Sequence, residues 1–236
     1  MSALLSVQGL NAWYGRAHIL FDVTLDVQPG EVVALMGRNG AGKSTTLEAI
    51  MGLVAQRSGS IRFDDRSIET LEPFEISRAG VGFVPEDRRI FTDLTVLENL
   101  EIGRRPPRAN APAWNVERLF ALFPNLAAMP DRPGDRMSGG EQQMLTVART
   151  LMGNPRLVLL DEPSEGVAPV IVEQMAGLII ELKKQGLSVL LSEQNVPFAA
   201  AVCDRVYVLE KGQVRFAGTM NELHADETVR RQYLTV

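Results

Sequence analysis

Gly37, Arg38, Asn39, Gly40, Ala41, Gly42, Lys43 and Ser44 fit the pattern G-x-x-x-x-G-K-[ST], and no other run restricts the fold of this chain so much. The pattern needs a buried strand before it and a helix after it. Both are legible. Glu31–Met36 is a short, mostly apolar run that stops at glycine, and Lys43–Leu53 has helical spacing at Leu47, Ile50 and Met51. In that setting glycines let the backbone curl so that successive N–H groups point at phosphate oxygens, while the following helix adds the positive end of its dipole. Lys43 is expected at the outer phosphates and Ser44 at a Mg²⁺ ion, with Thr45 ending the loop. GTPases, kinases and motor ATPases all use such a loop; the lack of an Asn-Lys-x-Asp guanine-reading sequence weighs against the first.

The flanking sequence predicts an α/β fold of the P-loop NTPase kind. Leu4–Val27 alternates well enough for two or three short strands in an antiparallel layer, and Gln28, Pro29 and Gly30 form a turn before the loop's strand. Arg156–Leu160 and Ser188–Leu191 read as buried strands of a parallel sheet with helices on both faces. The middle differs. Val96–Ile102 and Val116–Phe123 look helical, the Pro- and Arg-rich stretch Arg104–Pro112 separates them, and Ser138–Met152 is the clearest helix, stopped by Gly153, Asn154 and Pro155. The expected organisation is one domain over 1–236, with a sheet-bearing core at about 1–86 and 156–236 and a helical subdomain inserted at about 87–155.

Composition narrows the function. A net charge of −5 argues against an extended nucleic-acid surface. The one cysteine, Cys203, excludes an internal disulfide framework and any multi-cysteine metal site, and is expected to be a small buried hydrophobe. Met1–Gly9 lacks the basic flank and apolar stretch of a secretory signal, and no run approaches the roughly 18 apolar residues that span a bilayer.

Arg156–Glu162 places two acids directly after an apolar strand, where the carboxyl edge of a parallel sheet brings them beside the phosphate loop. Asp161 suits the Mg²⁺ shell. Glu162 suits a general base or water-positioner on the far side of the γ-phosphate. Ser138, Gly139, Gly140 and Glu141 open a helix with small residues, which fits either a second anion site or an ordinary well-capped helix.

Taken in order, these runs resemble the ATP-binding-cassette family over the whole chain. The resemblance implies a RecA-like core with an antiparallel β layer and an inserted α-helical subdomain. It makes Gly37–Thr45 the Walker A loop, Met137–Glu141 the signature, Leu157–Asp161 Walker B and Ser164–Ala168 the D-loop. Tyr14 would stack on adenine, Glu86 falls at the Q-loop and Gln194 at the switch position. Two cassettes would pair head to tail, as a homo- or heterodimer, so that Ser138, Gly139, Gly140 and Glu141 of one close over the ATP on the loop of the other. The implied setting is the cytoplasmic face of the inner membrane, on transmembrane permease subunits fed by a substrate-binding protein. A regulatory cassette without turnover, or a soluble cassette working on DNA or ribosomes, is the competing reading. Glu162 speaks against the first, and the lack of tandem duplication and coiled-coil insertion against the second.

Three positions depart from the commonest family pattern. Glu86 stands where most members have glutamine, Gln194 replaces the switch histidine and so neither titrates nor carries protons, and Ala168 replaces the D-loop aspartate. Pro85-Glu-Asp-Arg-Arg-Ile-Phe91, Ser164-Glu-Gly-Val-Ala-Pro169 and Glu193-Gln-Asn195 together look like the ATPases of importers for branched-chain or other hydrophobic amino acids, as the second of two paired cassettes. Importers of urea or short amides share much of this wording.

Overall fold

The computed structural model describes residues 2–234. In chain order the elements are β1 (Leu5–Tyr14), β2 (Ala17–Val27), β3 (Val32–Met36), α1 (Lys43–Ile50), β4 (Gln56–Phe63), β5 (Arg66–Ser67), α2 (Pro73–Ala79) and β6 (Val81–Val84). The segment between the two halves of the main sheet is helical: α3 (Val96–Gly103), α4 (Val116–Leu122), α5 (Pro124–Ala127) and α6 (Gly139–Leu151). The chain returns through β7 (Leu157–Asp161), α7 (Pro169–Lys184), β8 (Ser188–Glu193), α8 (Val196–Val202), β9 (Arg205–Glu210) and β10 (Gln213–Thr219). It closes with α9 (Met220–Ala225), α10 (Glu227–Val229) and a π-helical turn at Arg230–Leu234.

Two sheets form. The larger runs β10-β9-β3-β8-β7-β6, parallel except for β10, and the smaller is an antiparallel β2-β1-β4-β5 layer. All five residues of β3 are buried, and its alternation divides them between two cores. Val32, Ala34 and Met36 face the core that α6, α7 and α8 cover, through Leu145, Ile179 and Phe198 among others. Val33 and Leu35 face a core shared with α1 and the antiparallel layer, through Leu47, Leu5 and Leu20.

Helices were expected on both faces of the parallel sheet; the structure gives one face chiefly to α1 and the four-stranded layer. The reason lies in the alternation of β1 and β2, which buries one side of each strand and needs an apolar surface to rest on. Leu4–Val27 forms two long strands, and α1 stops at Ile50 instead of Leu53 because Gly52 turns left-handed at φ 77°. β4, β6, β9 and β10 carried no clear sequence signal. Cys203 packs partly buried against the helix-covered core, and burial pushes its thiol up, so it stays neutral.

The layers are tied together where they bear on the phosphate loop. Arg205 of β9 reaches Asp26 of β2 at 3.1 Å, holding that carboxyl below its usual range, and the Tyr207 hydroxyl donates to the same carboxylate at 2.8 Å. The β9–β10 hairpin turns on two residues, Lys211 at φ 49° and Gly212 at φ 74°, the paired left-handed conformation of a tight hairpin. Gly212 N–H donates to the Ala41 carbonyl at 2.9 Å, and Phe21 N–H donates to the Gly212 carbonyl at 2.8 Å, so this glycine links the loop to β2. A Cβ there would lie 1.8 Å from the Ile19 carbonyl oxygen. Gly212→Ala is therefore expected to cost at least about 2 kcal/mol in urea unfolding. Parent-like stability would contradict this packing.

Candidate active site

The site is built from the ends of three adjacent parallel strands: β3 leads into the loop, β7 ends on Asp161 and β8 ends on Glu193. Register pairs Asp161 with Ser192 and Met36 with Glu193, which brings the three carboxyl ends level. Gly37 is fixed from below, since a Cβ there would lie 2.4 Å from the Leu209 carbonyl oxygen. From there the loop passes Gly40 at φ 77° and Gly42 at φ 105° into α1.

Lys43 is 3% exposed, and its ammonium uses all three donors. It reaches the Gly37 carbonyl at 2.9 Å, the Arg38 carbonyl at 3.2 Å and Glu162 Oε1 at 3.0 Å. Ser44 Oγ donates to Asp161 Oδ1 at 3.0 Å, and Ser192 Oγ donates to the same oxygen at 2.5 Å while accepting from the Glu162 N–H at 3.0 Å. Glu162 itself has φ 43°, a left-handed conformation that a non-glycine residue adopts only under constraint.

Gln194 crosses the mouth of the site. Its Nε2 lies 3.1 Å from Asn39 Oδ1 and 3.3 Å from both Glu162 Oε2 and Glu165 Oε2. Glu86 lines the same cavity of ≈ 270 Å³ with Asn39, Lys43, Ser44, Glu162 and Glu165, and makes no side-chain hydrogen bond or ion pair among the described residues. Tyr14 stands at the end of β1, 49% exposed, with its hydroxyl donating to Glu48 Oε2 of α1 at 2.6 Å.

Ser138, Gly139, Gly140 and Glu141 do not line that cavity. They form a reciprocal cap on α6: Ser138 Oγ accepts from the Glu141 N–H at 3.3 Å, and Glu141 Oε2 accepts from the Ser138 N–H at 2.7 Å. The glycines also have packing reasons within the chain. Arg88 Nη1 lies 2.7 Å from where a Gly139 Cβ would be, and Ile171 Cγ1 lies 2.7 Å from that of Gly140.

The family profile described as ABC transporter matches residues 20–165. The chain belongs to the ABC transporter family. It is 41% identical to the high-affinity branched-chain amino acid transport ATP-binding protein BraG of Pseudomonas aeruginosa over 98% of this chain and 99% of that one. It is 36% identical to the lipopolysaccharide export system ATP-binding protein LptB of Haemophilus influenzae, over 98% and 97% of the two chains. Among solved structures, the ADP conformation of MJ1267, an ATP-binding cassette of an ABC transporter, superposes with a TM-score of 0.82 at 27% identity and 98% coverage of each chain. This cassette is an ATPase subunit of an ABC transporter, a family whose ATPases work as dimers with transmembrane permeases. No helix among its described residues is long and apolar enough to cross a membrane.

The cassette's site is charged unevenly. Burial raises the Asp161 carboxyl, hydrogen bonds from Ser192 and Ser44 pull it back in part, and the charges of Glu162 and Glu86 add to the rise. Burial also pushes Glu162 up, but hydrogen bonds from Glu165 and Lys43, the Lys43 charge and the Gln194 amide more than offset it, so Glu162 stays ionised. Ser192, Glu165 and Glu193 carried no role in the sequence reading. Glu193, 1% exposed, accepts from the backbone N–H groups of Ser164 at 3.1 Å, Gln194 at 3.1 Å and Asn195 at 3.0 Å, so it pins the turn after β7 to the one after β8. Polar residues at the end of an otherwise apolar β8 were the available signal.

The raised Asp161 has a consequence for stability. Its folded value lies above the unfolded one near 3.9, so between the two the fold binds the proton more tightly. Stability from this group is lost as pH rises through that window and stays lost above it. Asp161→Asn is therefore expected to raise the nucleotide-free melting temperature at about pH 7 and to lose that gain near pH 3. An unchanged melting temperature at neutral pH would contradict the burial cost.

Proposed function

We propose that the cassette hydrolyses MgATP to power import of branched-chain or other hydrophobic amino acids. The observation that carries the substrate is the 41% identity to BraG along nearly the whole of both chains, together with the motif wording around Glu86, Ala168 and Gln194. Similarity to LptB supports a second reading, lipopolysaccharide export, and the shared motif wording a third, uptake of urea or short amides.

The geometry supports a role for each residue. Backbone N–H groups of Arg38, Asn39, Gly40, Ala41, Gly42 and Thr45 wrap the phosphates, and Tyr14 offers its exposed ring to adenine. Phosphate oxygens draw Lys43 away from Glu162, which leaves that carboxylate free to orient the attacking water and take its proton. Gln194 donates its amide to the γ-phosphate. Ser44 and Asp161 present hard oxygens 3.0 Å apart, a donor set that fits Mg²⁺ bound through one carboxylate, phosphates and waters, with Glu86 facing it across the cavity. When bound there, Mg²⁺ neutralises charge on the β- and γ-phosphates.

The capped N-terminus of α6, Ser138–Glu141, supplies N–H groups to the γ-phosphate on a second cassette, homo- or heteromeric. Phe91 and Ile102 are half exposed around a groove flanked by Arg105 and Arg149, with Arg149 over the Phe91 ring at 5.0 Å. Arg88, Arg89 and Phe91 face a cytoplasmic helix of the permease on the inner face of the membrane, and a substrate-binding protein delivers the cargo. Residues 87–155 act as the helical subdomain that carries both surfaces.

Glu162→Gln is expected to lower hydrolysis by about 10²- to 10⁴-fold while ATP still binds. Undiminished steady-state hydrolysis would remove Glu162 from the base role. Lys43→Ala is expected to weaken ATP binding at least about tenfold by calorimetry, and unchanged affinity would dismiss the cradle. For the cargo, the cassette is to be purified with its permease and binding subunits and reconstituted into vesicles. ATP-dependent leucine, isoleucine or valine uptake is expected; uptake of urea alone, or extraction of lipopolysaccharide instead, would overturn amino-acid import.

A further inference from the structure

Glu165 is absent from every role assigned above, yet it completes a three-sided arrangement at the mouth of the site. Its N–H donates to the Glu162 carbonyl at 3.0 Å, closing a turn through Pro163 and Ser164, and its side chain hydrogen-bonds the Glu162 carboxylate. Gln194 Nε2 lies 3.3 Å from an oxygen of each, so one amide has both carboxylates within reach. An amide nitrogen carries two hydrogens and Asn39 Oδ1 already lies 3.1 Å away, so three acceptors compete for two donors. Two carboxylates this close favour sharing a proton. Their exposure differs: Glu162 is 6% exposed, whereas Glu165 is open to solvent.

We propose that Glu165 is the proton relay of the hydrolytic step, taking from Glu162 the proton that Glu162 removes from the attacking water and passing it to solvent. This rests on Glu162 being the base. In the step, a lone pair of the water oxygen forms the new bond to the γ-phosphorus. The bond from that phosphorus to its bridging oxygen breaks, and its electron pair stays on ADP. One water proton moves to a Glu162 carboxylate oxygen, the neutral Glu162 gives a proton to ionised Glu165, and Glu165 releases it to bulk water. Glu162 is then ionised for the next turnover. The position after β8 holds an amide in this chain, and an amide cannot carry that proton.

The surroundings suit the part. The charged groups facing Glu165 are Glu162 from its own turn and Glu86 from the loop after β6, with Lys43 of α1 beyond Glu162 and Glu193 of β8 beneath Ser164. The hydrogen bond with Glu162, burial, and the charges of Glu162 and Glu86 push Glu165 up to about 7, against the pull of the Gln194 amide. A carboxyl poised near neutrality takes and releases a proton with little cost in either direction.

The test is single-turnover hydrolysis by the assembled transporter, protein in excess over ATP, followed across pH. In the parent the rate is expected to rise with pH as Glu165 becomes ionised. Glu165→Gln is expected to lower the rate at least about tenfold near pH 8, to remove that rise and to leave ATP affinity within about twofold of the parent. Glu165→Asp, which keeps a carboxyl on a shorter stem, is expected to recover part of the rate. A parent-like rate and pH profile for Glu165→Gln would overturn the relay. So would a fall in ATP affinity matching the fall in rate, since that marks a binding role. Glu162→Gln measured alongside separates the two readings: if it is inactive while Glu165→Gln is not, only the relay fails, and if it is active, the base assignment fails first.

Discussion

A buried lysine and a buried glutamate hold this site ready. Lys43 belongs to the loop after β3 and Glu162 to the turn after β7, and they meet at 3.0 Å with almost no solvent access to either. Desolvating both charges is expensive, and the Coulombic gain repays it only when the remaining hydrogen-bonding capacity is also filled. Here it is filled: the Gly37 and Arg38 carbonyls take the other Lys43 donors, and Gln194 approaches the second Glu162 oxygen. The pair fixes the distance between the phosphate loop and the acidic turn, and it gives the nucleotide something to displace. A phosphate entering the loop would compete with Glu162 for the same ammonium.

That pair depends on topology more than on local sequence. β3, β8 and β7 lie side by side although about half of the chain separates β3 from β7, and parallel register sets their ends level. The parts readable in advance were those whose chemistry is local: the glycine and lysine spacing, the acids after an apolar strand, the serine at the start of α6. The polar end of β8 was visible, but the roles of Ser192 and Glu193 were not, because they come from pairing β8 between β3 and β7. Glu165 was hidden for a similar reason, since only the turn at Glu162 brings it back over its neighbour. The antiparallel layer was legible from its alternation, but not that it would share one face of the main sheet with α1.

The unusual residues also change meaning once they are placed. Gln194 does not act as an isolated substitute for histidine; it bridges the loop at Asn39 and the acids at Glu162 and Glu165. Glu162 and Glu86 add negative charge around Asp161, which a cation and its phosphate partners would relieve. Ser138–Glu141 are well satisfied as a helix cap and stand apart from the cavity of their own chain.

Closure by a second cassette can be read out by complementation. A Lys43→Ala chain has a defective loop and an intact α6 terminus, and a Ser138→Arg chain has the reverse. Head-to-tail pairing predicts that each variant alone fails to hydrolyse ATP and that an equal mixture recovers hydrolysis, because half-sites from the two chains combine into one complete site. A mixture that forms dimers yet stays inactive, or a Ser138→Arg protein as active as the parent, would contradict it.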